Sequence, residues 1–166
     1  MVMPRPDRAA LLAAVGRELG RELSTRTVLF HQAIAERLDL NATDHKALDF
    51  LCRAGPLTAG QLAELTGLTT GAITGIIDRL EKAGFAYRES DPTDRRRVII
   101  QPRMENIAHD LVPLFDSLGC AMDELCTRYS DQELVLIQDF MTRAIAILQE
   151  ETAKLRQRPF DSRSKA

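Results

Sequence analysis

Residues 58 to 102, TAGQLAELTGLTTGAITGIIDRLEKAGFAYRESDPTDRRRVIIQP, constrain this chain more than any other stretch. Thr58 with Gln61 three residues on offers a capping box, and Leu62, Ala63 and Leu65 follow as an apolar stripe. Gly67 permits a sharp turn. Thr69 then caps a second helix whose inward positions, Ile73, Ile76, Ile77 and Leu80, recur at spacings of three and four. Gly84, just after Lys82, stops it. At 100° per residue those apolar positions fall within about 60° of Ile73. The opposite side carries Gly71, Gly75 and Lys82, flanked by Thr74 and Asp78 on one edge and Ala72 and Arg79 on the other. A glycine inside a helix costs roughly 1 kcal/mol against alanine, and close approach of the backbone to a groove would offset that cost.

The segment FAYRES alternates in character after Gly84, and VIIQ returns as a short apolar run, so the two read as a two-stranded hairpin. Its connection, DPTDRRR, holds turn-favouring Asp91, Pro92 and Asp94 and then Arg95, Arg96 and Arg97. Three consecutive arginines at a hairpin tip must be solvated or bound to an anion. Joined to the two helices before it, this hairpin makes the stretch look like a winged helix-turn-helix, a DNA-reading unit.

The flanks are helical. Leu12, Val15, Leu19, Leu23, Phe30, Ile34 and Leu38 keep helical spacing over residues 8 to 38, which predicts a long first helix. Asn41 caps the next helix with Asp44 in its first turn, Ala47, Leu48, Leu51 and Cys52 form its buried face, and Gly55 and Pro56 end it. From Met104 onward the pattern is of two helices separated near Tyr129, with a kink at Pro113 and a capping box from Ser130 and Glu133. In the last helix Leu134, Ile137, Met141, Ala144, Leu148 and Leu155 follow a heptad seam, while Leu136, Phe140 and Ile147 make a second stripe. One helix cannot bury two stripes, so a second copy of the chain is expected to cover them. The fold class is therefore mostly α with a small β-wing. Residues 1–40 and 104–158 form the helical dimerisation region, 41–103 the reading domain, and 159–166 a loose tail.

A net charge of −2 would by itself argue against a nucleic-acid binder, but the charge is unevenly distributed. Residues 69 to 103 carry seven basic and five acidic side chains, whereas 104 to 150 carry two and nine. A DNA-facing patch needs local charge only. No run of 18 apolar residues and no basic-then-apolar start is present, and Cys52, Cys120 and Cys126 are too scattered for a disulfide framework. A cytoplasmic protein without membrane contact is expected. There is no phosphate loop, no histidine pair at metal spacing and no serine or cysteine beside a plausible base, so an enzyme is not expected, nor a cofactor.

The order of parts resembles the MarR family of bacterial transcriptional regulators over nearly the whole chain. The most specific pieces are LTAGQLAELTGLTTGAITGIIDRLEKAGF and RESDPTDRRR, in which Arg88, Asp91, Pro92, Asp94, Arg95 and Arg96 match the family's pattern. The resemblance implies a homodimeric repressor bound to double-stranded DNA at a pseudo-palindrome, with each recognition helix, Thr69 to Ala83, in a major groove. Thr69, Thr70, Gly71, Thr74 and Gly75 would then face bases or phosphates, and the wing at Asp94 to Arg97 would reach a minor groove through Arg95, held by Asp94 or Asp78. Arg96 and Arg79 would serve as phosphate contacts or as internal pairs. Leu12, Val15, Leu19, Leu134, Ile137, Met141 and Leu148 would lie in the dimer interface. Where many relatives carry arginine in mid-helix this chain has Gly75, which shifts reading toward shape and apolar contact.

The family resemblance also implies release by a small aromatic or phenolic ligand, with Thr27, Phe30, His31, His45, Leu48, Phe50 and Arg88 as the candidate pocket. His31, His45 and His109 lie on three helices that the fold is expected to bring together, yet their spacing supports no metal site. Cys120 and Cys126 stand about 240° apart around a helix and cannot pair within one chain. Two other readings stay open at this point: a winged-helix module for protein contacts, and a thiol-based redox regulator.

Overall fold

A computed structural model describes residues 7–94 and 97–157. Helix α1 (Arg8–Arg17) passes through a π-helical segment, Glu18–Leu23, into α2 (Ser24–Arg37). Then come α3 (Ala42–Ala54), β1 (Leu57–Thr58), α4 (Ala59–Thr66), α5 (Thr70–Lys82), β2 (Ala86–Ser90) and β3 (Val98–Pro102). A short α6 (Met104–Asn106) leads into a π-helical segment, Ile107–Leu111, and a 3-10 turn, Val112–Phe115. Helices α7 (Asp116–Cys126) and α8 (Asp131–Gln157) complete the chain's described elements. They belong to a second compact unit that begins at Asp116, the first unit ending at Phe115. The expected boundary at 103/104 thus falls inside the first unit, because Ile107 and Leu111 are buried in the same core as the reading domain.

The expected caps are present. Asn41 Oδ1 accepts from Asp44 N–H at 2.9 Å, and the Asp44 carboxylate accepts from Asn41 N–H at 3.4 Å. Thr58 and Gln61 form the same reciprocal pair, as do Ser130 and Glu133. Gly67, left-handed at φ +72°, ends α4, and Gly84, at φ +81°, lies two residues past α5. Pro113 lacks the N–H an α-helix needs, and the chain around it is π-helical and then 3-10.

The expected hairpin of β2 and β3 is present, a third strand joins it, and one expectation needs correction. The sheet has three strands, in the order β1-β3-β2: β3 pairs antiparallel with β2 from Ala86↔Pro102 to Ser90↔Val98, and with β1 at Leu57↔Ile100 and Thr58↔Ile99. Leu57–Thr58 is too short to show alternation, so only its pairing reveals it. Leu65 is exposed, since the inward side of α4 is centred on Leu62 with Ala59, Ala63 and Leu68 packing around it.

The core of the first unit lies where α2, α3, α4, α5 and β3 meet. Leu48, Leu51, Leu62, Ile73, Ile76, Ile77, Leu80 and Ile100 are fully buried there. Each isoleucine or leucine contributes about 1.5–3 kcal/mol on leaving water, so α5 alone is held by several such terms on one side. Its other side is left for something else.

Candidate nucleic-acid interface

The local sequence builds α5 as a two-faced element. Thr69 Oγ1 accepts from Ala72 N–H at 3.3 Å and closes the N-terminus, while the isoleucine face is sealed in the core. Thr70, Gly71 and Thr74 are exposed, and Thr74 Oγ1 donates to Thr70 C=O at 3.1 Å, which commits its hydroxyl proton to the helix backbone. A Cβ placed on Gly71 would meet nothing within 4 Å. One placed on Gly75 would lie 3.4 Å from Arg79 Nη1. The outward face is therefore low and almost uncharged along its first two turns.

Ion pairs flank that face. Arg79 Nε and Nη2 donate to the two Asp44 carboxylate oxygens at 2.8 and 2.7 Å, and this bonding to Asp44 is what chiefly raises the arginine's already high pKa. Arg79 is thus placed as an internal pair, one of its two expected roles. Arg88 on β2 donates through Nη2 to Asp78 at 2.6 Å and through Nη1 to Glu81, and its backbone N–H donates to Glu81 Oε1 at 2.7 Å. Asp78 is accordingly engaged by Arg88, and the wing's first strand is tied to the recognition helix.

At the wing tip, Asp91 Oδ1 accepts from Thr93 N–H at 2.8 Å and Thr93 Oγ1 at 2.6 Å, bonds that hold its carboxyl below the ordinary carboxylate range. Asp91 N–H donates to Arg97 C=O at 2.9 Å, and Arg97 N–H to Asp94 C=O at 2.8 Å, so the turn is closed by its backbone. Asp94 and Arg97 stand exposed there. Arg95 and Arg96 lie outside the described residues.

Of the candidate pocket residues, the structure gathers three around an aromatic cluster. The His31 and His45 rings lie 5.2 Å apart, and Phe30 meets Phe115 edge-on at 5.7 Å. His31 Nδ1 is buried without a hydrogen-bond partner. Leu48 is core, Thr27 Oγ1 donates to Leu23 C=O on an exposed face, Phe50 lies under Lys46 Nζ, and Arg88 is held on β2. Phe115 carried no signal in the sequence beyond its place after Pro113. An open depression of about 660 Å³ lies elsewhere, lined by Arg37, Asp39, Arg79, Lys82, Phe85 and Leu114 among others, and none of the candidate pocket residues lines it.

His109 does not join the other two histidines. It is exposed and paired with Asp110 at 2.6 Å, and no group of three metal-ligating side chains occurs among the described residues. Cys52 packs against the core, where burial pushes its thiol pKa up, while Cys120 and Cys126 are exposed on α7. Among the described residues no helix is long and apolar enough to cross a membrane. Of the proposed dimer contacts, Leu12, Val15, Ile137, Met141 and Leu148 are exposed and Leu19 and Leu134 half-buried.

Residues 38–97 match the model of the MarR family. Over 140 residues the chain is 49% identical to the uncharacterized HTH-type transcriptional regulator YcgE of Bacillus subtilis, covering 84% of this chain and 90% of that protein. The chain belongs to the MarR family. A MarR-family protein of this kind is a DNA-binding transcriptional regulator and not an enzyme. Its fold is shared with YusO of Bacillus subtilis (TM-score 0.60, 16% identity, 84% of this chain and 98% of that one). It is also shared with a variant of S. aureus MepR bound to an oligodeoxyribonucleotide (TM-score 0.54, 22% identity, 82% and 97%). The stretch matched by the MarR model runs from the end of α2 to the wing, the part whose geometry is described above.

Proposed function

We propose that the chain is a cytoplasmic homodimeric repressor that binds a pseudo-palindromic operator, with α5 of each copy in successive major grooves. Half-sites would be centred about 34–36 Å apart, one helical turn of DNA. The observation that carries this reading is the two-faced α5: one side sealed by Ile73, Ile76, Ile77 and Leu80, the other low and lined by Thr70, Gly71, Thr74 and Gly75. A helix with that outward profile fits deeply into a groove, with Thr69 and Thr70 donating to phosphates and Thr74, whose hydroxyl proton is held by Thr70 C=O, touching thymine methyls. The wing, with Asp94, Arg95, Arg96 and Arg97, supplies charge at the neighbouring minor groove. A MepR variant with this fold is bound to an oligodeoxyribonucleotide, which supports DNA as the partner. Leu12, Val15 and Leu19, with Leu134, Ile137, Met141 and Leu148, pair the copies.

Release by a small aromatic or phenolic molecule is part of the proposal. The cluster of Phe30, His31 and His45 is its place, where a ligand hydroxyl that parts the rings would supply the buried His31 Nδ1 with a partner. The test is retardation of DNA from the protein's own promoter region, titrated with salt and with phenolic ligands. Affinity should fall roughly 10³-fold or more between 50 and 200 mM salt, as expected for several phosphate contacts per subunit. Absence of specific retardation at low salt would overturn the reading.

A further inference from the structure

Arg79 stands on the outward half of α5, about 40° around the helix from Gly75 and one turn on from it. A guanidinium at that position of a reading helix would ordinarily extend to a phosphate or a guanine edge. Here it is turned back. Nε and Nη2 are both donated to Asp44, a carboxylate only 1% exposed, whereas the arginine side chain is 50% exposed. The same carboxylate receives Asn41 N–H, so its position is also fixed by the cap of α3. Gly75 completes the arrangement, since Nη1 lies only 3.4 Å from where a Cβ would stand. A longer side chain at 75 would compete for that space.

We infer that Asp44 is a specificity-determining residue: by holding Arg79 against the first turn of α3, it withdraws a cation from the DNA-facing surface and leaves α5 to read by shape. This rests on the DNA-binding reading above. A buried carboxylate that loses its partner is strongly disfavoured, which is why the pair holds in the presence of competing phosphates. A released guanidinium would add a contact that every DNA sequence offers. Affinity for any duplex then rises, and the margin between operator and other DNA narrows.

The test measures binding of the full-length protein to its promoter fragment and to an unrelated duplex of equal length across a salt series. Asp44→Asn keeps a side-chain acceptor for Asn41 N–H and removes the charge that holds Arg79. It should bind the unrelated duplex on the order of 10-fold more tightly, with a log–log salt slope steeper by about 0.9 per protomer, the increment for one added phosphate contact. A residue of merely structural importance would weaken binding to both duplexes and leave the slope unchanged or shallower, and that result overturns the inference. Asp44→Asn combined with Arg79→Gln should return both slope and selectivity to the parent's values. Should Asp44→Asn alone fail to fold, Arg79→Gln decides: an unchanged slope supports the withdrawal of Arg79, and a slope shallower by about 0.9 per protomer shows it on a phosphate and overturns it. If the parent protein retards neither duplex, the DNA-binding reading itself fails, an outcome distinct from any of these.

Discussion

At the scale of single residues, His45 sits against His31 with almost no solvent, and burial, reinforced by His31 and Lys46, lowers its pKa below the ordinary value against the opposing pull of Asp49. The sign follows from linkage. The unfolded chain takes up a proton near pH 6.5 while the folded one resists, so the stability due to neutral His45 is complete above about pH 6.5 and is lost as pH falls below it. The thermal midpoint should therefore drop between pH 7.5 and 5.5. In His45→Gln that drop should be smaller; an equal drop would remove His45 as its source. Gly84 offers a second prediction. It lies at φ +81°, and a Cβ there would come within 3.1 Å of Asn106 Nδ2, which donates to Gly84 C=O at 2.7 Å. Gly84→Ala should cost about 1–2 kcal/mol in urea unfolding, the penalty of a left-handed conformation for a residue with a side chain. At Gly75 the issue is readout: Gly75→Arg introduces a guanidinium at the centre of the outward face and should change the preferred site in a binding-site selection. Unchanged selectivity would count against reading by shape.

At the scale of elements, what was legible in the sequence was what repeats over three or four residues. The inward face of α5, the caps at Asn41, Thr58 and Ser130 and the left-handed glycines are all local, and the structure has them where the spacing puts them. What was not legible depends on long-range pairing. Strand β1 is two residues long and owes its existence to β3, more than 40 positions away. Asp44 read as a residue favoured by the helix dipole, and nothing in its neighbourhood announced Arg79, 35 residues on. Arg88 belongs to the match with the family wing, yet its partners lie on α5 rather than in a ligand pocket. That tie predicts an effect on the wing: Arg88→Ala should leave α5 folded by circular dichroism and loosen β2, seen as faster amide exchange at Tyr87 and Glu89. Protection equal to the parent's would show the strand held by the sheet alone.

At the scale of the molecule, the second unit is built around surface that a single chain leaves open. On α8, Leu136, Leu148 and Leu155 are 68%, 63% and 73% exposed, and Leu118, Met122 and Leu125 on α7 and Leu11, Leu12 and Val15 on α1 are exposed as well. Apolar surface of this extent is what the proposed pairing of two copies would cover. If two copies cover it, the thermal midpoint must rise with protein concentration, since association stabilises only the folded state. Leu148→Glu should shift sedimentation toward the monomer, abolish the concentration dependence and lower operator affinity; an unchanged sedimentation coefficient would place the interface elsewhere. The open face of α8 then has a consequence for the cell. If two copies pair, a newly made copy without a mate would present the kind of surface that chaperones and proteases recognise, and unpaired copies would be the ones removed. The pool of regulator would respond to its rate of synthesis more steeply than in proportion, and a modest fall in expression would empty the operator without any ligand.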